Sequence, residues 1–306
     1  MARIFVHLPL NISRALEQFI LEFCREMTKR YGLLVEIDSQ IQCLPDNAHP
    51  GSNEPENDLD ASSAPDLVVG SVDYLTNFPE GYLEQYYRPL PERFPIRPEL
   101  AEAGFADPKG YFHPFVIMPF AIFYNDELLE QEELPRTWED LLDSRWQDKI
   151  CMPDRYHMAP KMIRAYMQAY YPEKYDVFQK NLVYQGAPIN VINALTEGRY
   201  PIGMTNISFA RIAARNKNIR LLWPQDGLFC MPQVMIWSKK ADERLLEIGD
   251  FLLSRQVQEY LALQTFVPVS AEVSIPQLLT ENNCSLRWKD WDDFLSVIKG
   301  DIADEQ

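Results

Sequence analysis

One stretch, residues 133–154 (E-L-P-R-T-W-E-D-L-L-D-S-R-W-Q-D-K-I-C-M-P-D), narrows the choice of fold more than any other part of the chain. Pro135 stops whatever precedes it, and Thr137 is placed to cap a following helix. Asp140 lies three residues on, where a carboxylate completes a capping box. Trp138, Leu141 and Leu142 fall on one face, which predicts a short amphipathic helix burying a Trp-Leu edge. After Trp146 a polar turn leads into residues 149–152, an apolar run that reads as a buried strand closed by Pro153 and Asp154. Helix, turn, strand and exposed polar loop in that order point to an α/β fold, in which loops at strand ends carry the binding groups.

The same alternation runs along the rest of the chain. Residues 3–7 alternate into a strand that Pro9, Leu10 and Asn11 turn. Leu16, Phe19, Ile20, Phe23 and Met27 then recur at helical spacing over residues 13–30, and Gly32 stands where a C-cap belongs. With a second strand at 33–37, this is the expected opening of a parallel sheet. Residues 44–65 are polar and rich in Pro, Asn and Ser, which predicts a long flexible surface loop with His49 solvated in it. Residues 66–71 return to a buried strand, and residues 82–98 read as an irregular wrap. A long hydrophobic strand follows at 114–125, interrupted by Pro119, which suits an edge or crossover strand. Further helices are predicted at 161–171, 172–181, 208–216, 243–254, 257–264 and 291–299, with another closed by Gly198. Strands are predicted at 200–204, 219–223 and 231–238. No internal repeat is visible.

A chain of 306 residues is long enough for two lobes or one large domain with an ample core. Its net charge of −16 repels phosphate backbones and anionic membrane surfaces, and no run approaches a membrane span. Neither nucleic-acid binding nor membrane insertion is expected. Cys24, Cys43, Cys151, Cys230 and Cys284 are widely spaced and odd in number, without C-x-x-C, which reads as reduced thiols rather than a disulfide framework. The N-terminus opens on a strand without the pattern of a secretory signal. The chain as written is therefore expected in the cytoplasm; with a signal segment removed it is expected in the periplasm or outside the cell.

L-P-x-T-W-x-D-L-L followed by a short K-I strand and P-D resembles the solute-binding proteins of bacterial ABC transporters, in the iron, polyamine and thiamine-like branch. The likeness continues in F-A-I-F-Y-N-D from Phe120, T-E-G-R-Y-P-I-G-M-T-N from Thr196, W-P-Q-D-G from Trp223, F-L-L-S from Phe251 and F-V-P-V-S-A-E-V from Phe266. It covers residues 60–275. The resemblance implies a two-lobed type II periplasmic-binding fold with a hinge and an interlobe ligand cleft. One lobe is expected from residues 1–116 plus 232–285, and the other from 117–231 plus 286–306.

No Gly-rich phosphate loop, G-x-S-x-G, H-E-x-x-H or Cys/His cluster is present, so no enzyme activity and no cofactor is expected. In a fold of this kind strand ends and helix N-termini hold the ligand, the latter favouring anions. The candidates are His7, Asn11, Ser71, Asp73 and Tyr74 from one lobe, and Asp154, Arg155, His157, Thr205, Asn206 and Ser208 from the other. Each has an ordinary alternative: strand-end Ser, Asp and Asn also serve as turn and cap residues, and Arg155 can simply pair with Asp154. Most histidines, His7, His113 and His157 among them, fall near predicted strand ends, so a metal site is conceivable.

Ferric-binding members of the family bring adjacent tyrosines from the stretch after T-N; here Ser208 and Phe209 occupy it. Asp73, Tyr74 and Asp154 could grip a polyamine, but Arg155 argues against a polycation. Arg155 with Ser71, Thr205 and Asn206 suits an anionic or zwitterionic solute better. The expected function is non-catalytic binding of a small polar solute in the interlobe cleft of a monomer, as the solute-binding component of an ABC-type transport system or a cytoplasmic derivative of one. A cytoplasmic ligand sensor signalling to a partner protein is a second reading. An enzyme on a thiamine-precursor-synthase-like scaffold is a third, and would need a cleft nucleophile, which Cys151 and Cys230 in buried-looking surroundings do not supply.

Overall fold

The computed structural model describes residues 1–39, 64–72 and 80–303. In chain order the strands are β1 (Ala2–His7), β2 (Val35–Ser39), β3 (Leu67–Ser71), β4 (His113–Asn125), β5 (Ile150–Met152), β6 (Leu182–Tyr184), β7 (Ile202–Asn206), β8 (Ile219–Leu222), β9 (Leu228–Trp237), β10 (Val267–Pro268) and β11 (Leu286–Arg287). The helices are α1 (Leu10–Tyr31), α2 (Tyr82–Tyr86), α3 (Pro98–Glu102), α4 (Met158–Tyr170), α5 (Tyr175–Asn181), α6 (Pro188–Thr196), α7 (Ala210–Ala213), α8 (Leu246–Leu252), α9 (Arg255–Leu263), α10 (Gln277–Glu281) and α11 (Trp291–Ala303). The chain divides into two units. Unit 1 holds Met1–Ile117, Pro232–Ala262 and Pro268–Ser274; unit 2 holds Met118–Met231, Leu263–Val267 and Ile275–Gln306.

In unit 1, β1 lies between β2 and β3 in parallel, and β3 pairs antiparallel with the second half of β9, Ser71 opposite Gln233. Both neighbours of β3 cover it, and all five of its residues are buried, as its unbroken apolar run requires. Helix α1 returns the chain between β1 and β2. It starts at Leu10 rather than after a turn, because Pro9 has the helical φ fixed in advance and its carbonyl accepts the N–H groups of Ile12 and Ser13. Leu16, Ile20, Cys24 and Met27 form its buried stripe. Phe19 and Phe23 are half-buried, against Tyr260 and Phe251. Gly32 ends the helix at φ 66°, its N–H on the Thr28 carbonyl, a conformation that costs any residue with a Cβ. The expected wrap at 82–98 is irregular apart from α2. Of the loop expected at 44–65, only Ala64 and Pro65 lie among the described residues.

Unit 2 is built on the strand order β6-β5-β7-β4-β8, with β5 parallel to both its neighbours and β4 antiparallel to β7 and β8. Pro119 does not break β4: the ladder to β7 begins at Phe120, so the missing N–H falls just before it. The capping box around Thr137 is present. Asp140 Oδ2 accepts the N–H groups of Arg136 and Thr137 at 2.7 and 3.0 Å, and Thr137 Oγ1 accepts the Asp140 N–H at 3.4 Å. The helix it starts is a single 3-10 turn, Glu139–Leu142, because Asp143 leaves the helix and caps a second turn, Ser144–Trp146, with its own carboxylate. Trp138 is fully buried, its indole N–H on the Gly227 carbonyl at 2.8 Å and its ring stacked on Phe229. The helix expected at 208–216 is likewise short, a 3-10 turn Ile207–Phe209 leading into α7.

Residues 263–267 and 275–285 group with unit 2. The Leu228 N–H donates to the Ser285 carbonyl at 2.9 Å, and β11 continues that contact as a parallel pair with the first half of β9. No helix among the described residues is long and apolar enough to cross a membrane.

Candidate functional site

In unit 1 the sequence brings β1, α1 and β3 to one sheet end. His7 closes β1, and its register partner on β3 is Gly70. Gly70 has φ +143°, and a Cβ there would lie 1.8 Å from the His7 carbonyl oxygen, so only glycine lets the two strand ends approach this closely. Ser71 follows, fully within the fold, and its hydroxyl donates to Gln233 Oε1 at 2.9 Å. Asn11 stands in the first turn of α1, a turn with no acidic residue and no side-chain cap. Its Nδ2 is buried and has no hydrogen-bond partner among the described residues. His7, Asn11 and Ser71 thus share one strand end. Asp73 and Tyr74 lie outside the described residues.

In unit 2 the polar groups follow β5, β6 and β7, which run parallel side by side. Asp154 is a clasp between loops: its Oδ1 accepts the Gly186 N–H at 2.8 Å, its Oδ2 accepts the Tyr156 hydroxyl at 3.0 Å, and its own N–H reaches the Gly186 carbonyl. Among the described residues Arg155 makes no ion pair with it; the Arg155 guanidinium lies over the Tyr184 ring at 5.2 Å and is exposed. His157 is the N-cap residue of α4, and burial lowers its pKa while Asp154 pulls the other way.

At the end of β7, Thr205 is 0% exposed and its Oγ1 has no partner among the described residues. Asn206 Oδ1 accepts both the backbone N–H and the hydroxyl of Ser208, which caps the turn leading to α7. Asn206 and Ser208 are therefore tied to each other by an ordinary capping bond, one of the alternatives the sequence left open.

Two helices start at these strand ends, α4 after β5 and α6 after β6. Neither has an acidic residue in its first turn, and neither has a side-chain cap. In these first turns Pro160 and Pro188 have no N–H and the Asn190 N–H donates to the Ala187 carbonyl at 2.9 Å, which leaves the Ala159 and Ile189 N–H groups without a helical acceptor and able to meet an anion. The local charge agrees. Between residues 155 and 225 the only acids are Glu173, Asp176 and Glu197, against ten Lys and Arg. The net charge of the whole chain conceals this reversal.

Among the described residues no group of three His, Cys, Asp or Glu could hold a metal ion. His113 instead packs against Phe94 and Trp237, and burial pushes its pKa down to about 4. The cysteines named as possible nucleophiles are both fully buried; burial pushes the Cys151 thiol up to about 12 and the Cys230 thiol up further.

Sequence reading missed Gln233, Gly186 and Tyr156. Gln233 had a visible signal, a lone amide inside the apolar run L-F-C-M-P-Q-V-M-I-W. Gly186 had a weaker one, a glycine just past a strand, here at φ 68°.

A family model described as bacterial extracellular solute-binding protein matches residues 62–297. No curated protein matches the chain. Among solved structures, the chain is similar to the apo ferric ion-binding protein A of Pasteurella haemolytica, with a TM-score of 0.71, 14% identity, and coverage of 100% of this chain and 98% of that one. It is similar to a ferric binding protein from Campylobacter jejuni at a TM-score of 0.68 and 14% identity, covering 100% and 99%. A Trichodesmium protein in complex with iron and citrate ligands gives 0.68 and 18%, covering 99% and 96%.

Proposed function

The chain belongs to the bacterial extracellular solute-binding protein family and has the type II periplasmic-binding fold, and on that premise we propose that it binds a small anionic or zwitterionic solute reversibly, for an ABC-type permease. The observation that carries this reading is the pair of uncapped helix starts, α4 and α6, at neighbouring strand ends within a strongly basic stretch. Helix N-termini and a surplus of Lys and Arg both favour negative charge. Arg155 can supply a bidentate contact, and the buried Thr205 hydroxyl and the Asn206 amide offer hydrogen bonds that select shape.

The reading concerns binding without chemistry. The buried thiols, with their raised pKa values, are poor nucleophiles. Two of the similar solved structures are ferric-binding proteins and a third is a complex with iron and citrate. In this chain Ser208 and Phe209 follow Asn206 where ferric-binding members of the family present phenolates, so we assign the anionic solute, alone or as a chelate, rather than bare ferric ion. Work as a permease's receptor puts the protein outside the cytoplasmic membrane.

Thermal shift tests the proposal on the purified chain against oxyanions, citrate with and without iron, amino acids, thiamine-like compounds, polyamines and metal salts. A solute at about 100 times its dissociation constant adds about 2.7 kcal/mol, a readily measured rise in melting temperature. Stabilisation by an anion or zwitterion, lost in Arg155→Ala, is expected. Stabilisation by polyamines or bare metal ions alone would overturn the anionic assignment, and no shift from any solute would overturn the receptor reading.

A further inference from the structure

We propose that the face formed by α7 and Leu263 in unit 2 docks an acidic, leucine-bearing segment of a partner protein. The chain contains 45 Asp and Glu, yet residues 198–225 contain none and carry Arg199, Arg211, Arg215, Lys217 and Arg220. Arg199 pairs with Glu197 at 2.7 Å and Arg220 with Asp126 at 2.8 Å. Arg211, Arg215 and Lys217 are exposed, and among the described residues none of the three forms an ion pair with a carboxylate.

Residues 260–271 are a second acid-free run. The fold joins the two runs: Arg211 Nη1 donates to the Leu263 carbonyl at 2.9 Å. That bond ties Arg211 of α7 to Leu263, whose side chain is 63% exposed, and Ile212, the next residue of α7, is 37% exposed. Large apolar side chains left in water beside unneutralised cations form a surface complementary to acids alternating with apolar residues. The chain as a whole, at net −16, repels a long polyanion or an anionic bilayer. A short acidic peptide segment reaches the α7 face without meeting that repulsion. Arg211, Arg215 and Lys217 belong to the basic stretch that favours an anionic solute, but the face shares neither Arg155, Thr205 or Asn206 nor the starts of α4 and α6 with that reading.

The probe is a fluorescein-labelled dodecapeptide repeating Glu-Glu-Leu, titrated with the full chain and read by anisotropy, with a Lys-Lys-Leu peptide as control. The acidic peptide is expected to bind and the basic one not. The double variant R215E/K217E is expected to weaken binding about tenfold or more, as is raising salt from about 0.05 to about 0.5 M. Ile212→Ser should weaken it at constant charge, and melting temperatures should stay unchanged in both variants. Undiminished binding to R215E/K217E, or no binding by the wild-type chain, overturns the proposal. So does binding to phosphatidylglycerol vesicles without peptide binding, or a dimer seen by sedimentation that R215E/K217E dissolves while the peptide is ignored.

Discussion

Gln258 Oε1 accepts the backbone N–H of Val269 at 2.9 Å, deep in unit 1, where Gln258 is 0% exposed. The same oxygen accepts the Ser270 N–H at 3.1 Å, and Nε2 donates to the carbonyls of Phe115 and Leu252 at 2.8 and 2.9 Å. The amide thus fills its full hydrogen-bonding capacity on three separate segments. Gln258→Leu keeps most of the volume and strands four backbone groups. Each buried unpaired group costs about 1–3 kcal/mol, so a loss of about 3–5 kcal/mol is expected after partial relaxation. An unfolding free energy from denaturant titration within about 1 kcal/mol of wild type would show that the backbone repairs itself.

His113 gives unit 1 an acid sensitivity. Its folded pKa of about 4 lies below the ordinary 6.5, chiefly because burial disfavours the imidazolium, with Asp107 and a backbone bond at Gly110 opposing. Between those values the unfolded chain binds the proton and the folded one does not. The stabilising effect is complete above pH 6.5 and is lost as pH falls toward 4, by up to about 1.4 kcal/mol per pH unit. His113→Phe removes the titration but keeps an aromatic ring against Phe94 and Trp237. Melts between pH 7 and 4.5 should therefore show a shallower decline for the variant, whatever its stability at pH 7. Equal slopes would locate the sensitivity elsewhere.

What the sequence disclosed follows distance along the chain. The buried stripe of α1 and the Gly32 cap depend on neighbours within a turn or two, and both were readable. The Thr137–Asp140 capping box was readable for the same reason. The length of the turn it starts was not, because Asp143 competes with a cap of its own. His7 and Ser71 could be named because strand ends expose polar residues. The reason they meet, the missing Cβ of Gly70, depends on register across 63 residues of chain. Asp154 was legible as a polar strand-end residue but not as a clasp, since Gly186 is 32 residues away. The basic stretch at 155–225 was present in the sequence and hidden by averaging charge over the whole chain.

Gly70→Ala tests that register. Its Cβ would meet the His7 backbone oxygen and carbon at 1.8 and 2.6 Å, and Gly70 is held on both sides, parallel to β1 and antiparallel to β9, so it has no easy direction to yield. A loss of about 3–5 kcal/mol is expected, at the upper end for a single substitution. Gly203→Ala is the contrast: its nearest neighbour is Val191 Cγ1 at 2.6 Å, a side-chain methyl that a small shift of α6 can move. The second variant should lose less, about 1–3 kcal/mol, the usual range for overpacking. Equal losses would mean that the His7 strand end gives way as readily as a side chain does.

Asp154 separates the possible charges of the solute. As a clasp its oxygens are occupied by the Gly186 N–H and the Tyr156 hydroxyl, so its negative charge is incidental to an anionic ligand and central to a cationic one. Asp154→Asn keeps an oxygen for the Gly186 N–H and removes the charge. If the solute is an anion, the affinity of Asp154→Asn should stay within about threefold of wild type or rise, because a like charge has been removed from the strand ends. A cationic solute would lose about 1–3 kcal/mol of binding, roughly the worth of a charged hydrogen bond. Asp154→Ala loses the clasp as well, and should weaken any solute while lowering the melting temperature by the few degrees expected of about 1 kcal/mol. Calorimetric titration of both variants with the best hit separates these cases. An asparagine variant that fails to bind an anion while Asp154→Ala still binds it would show that neither charge nor clasp accounts for this residue.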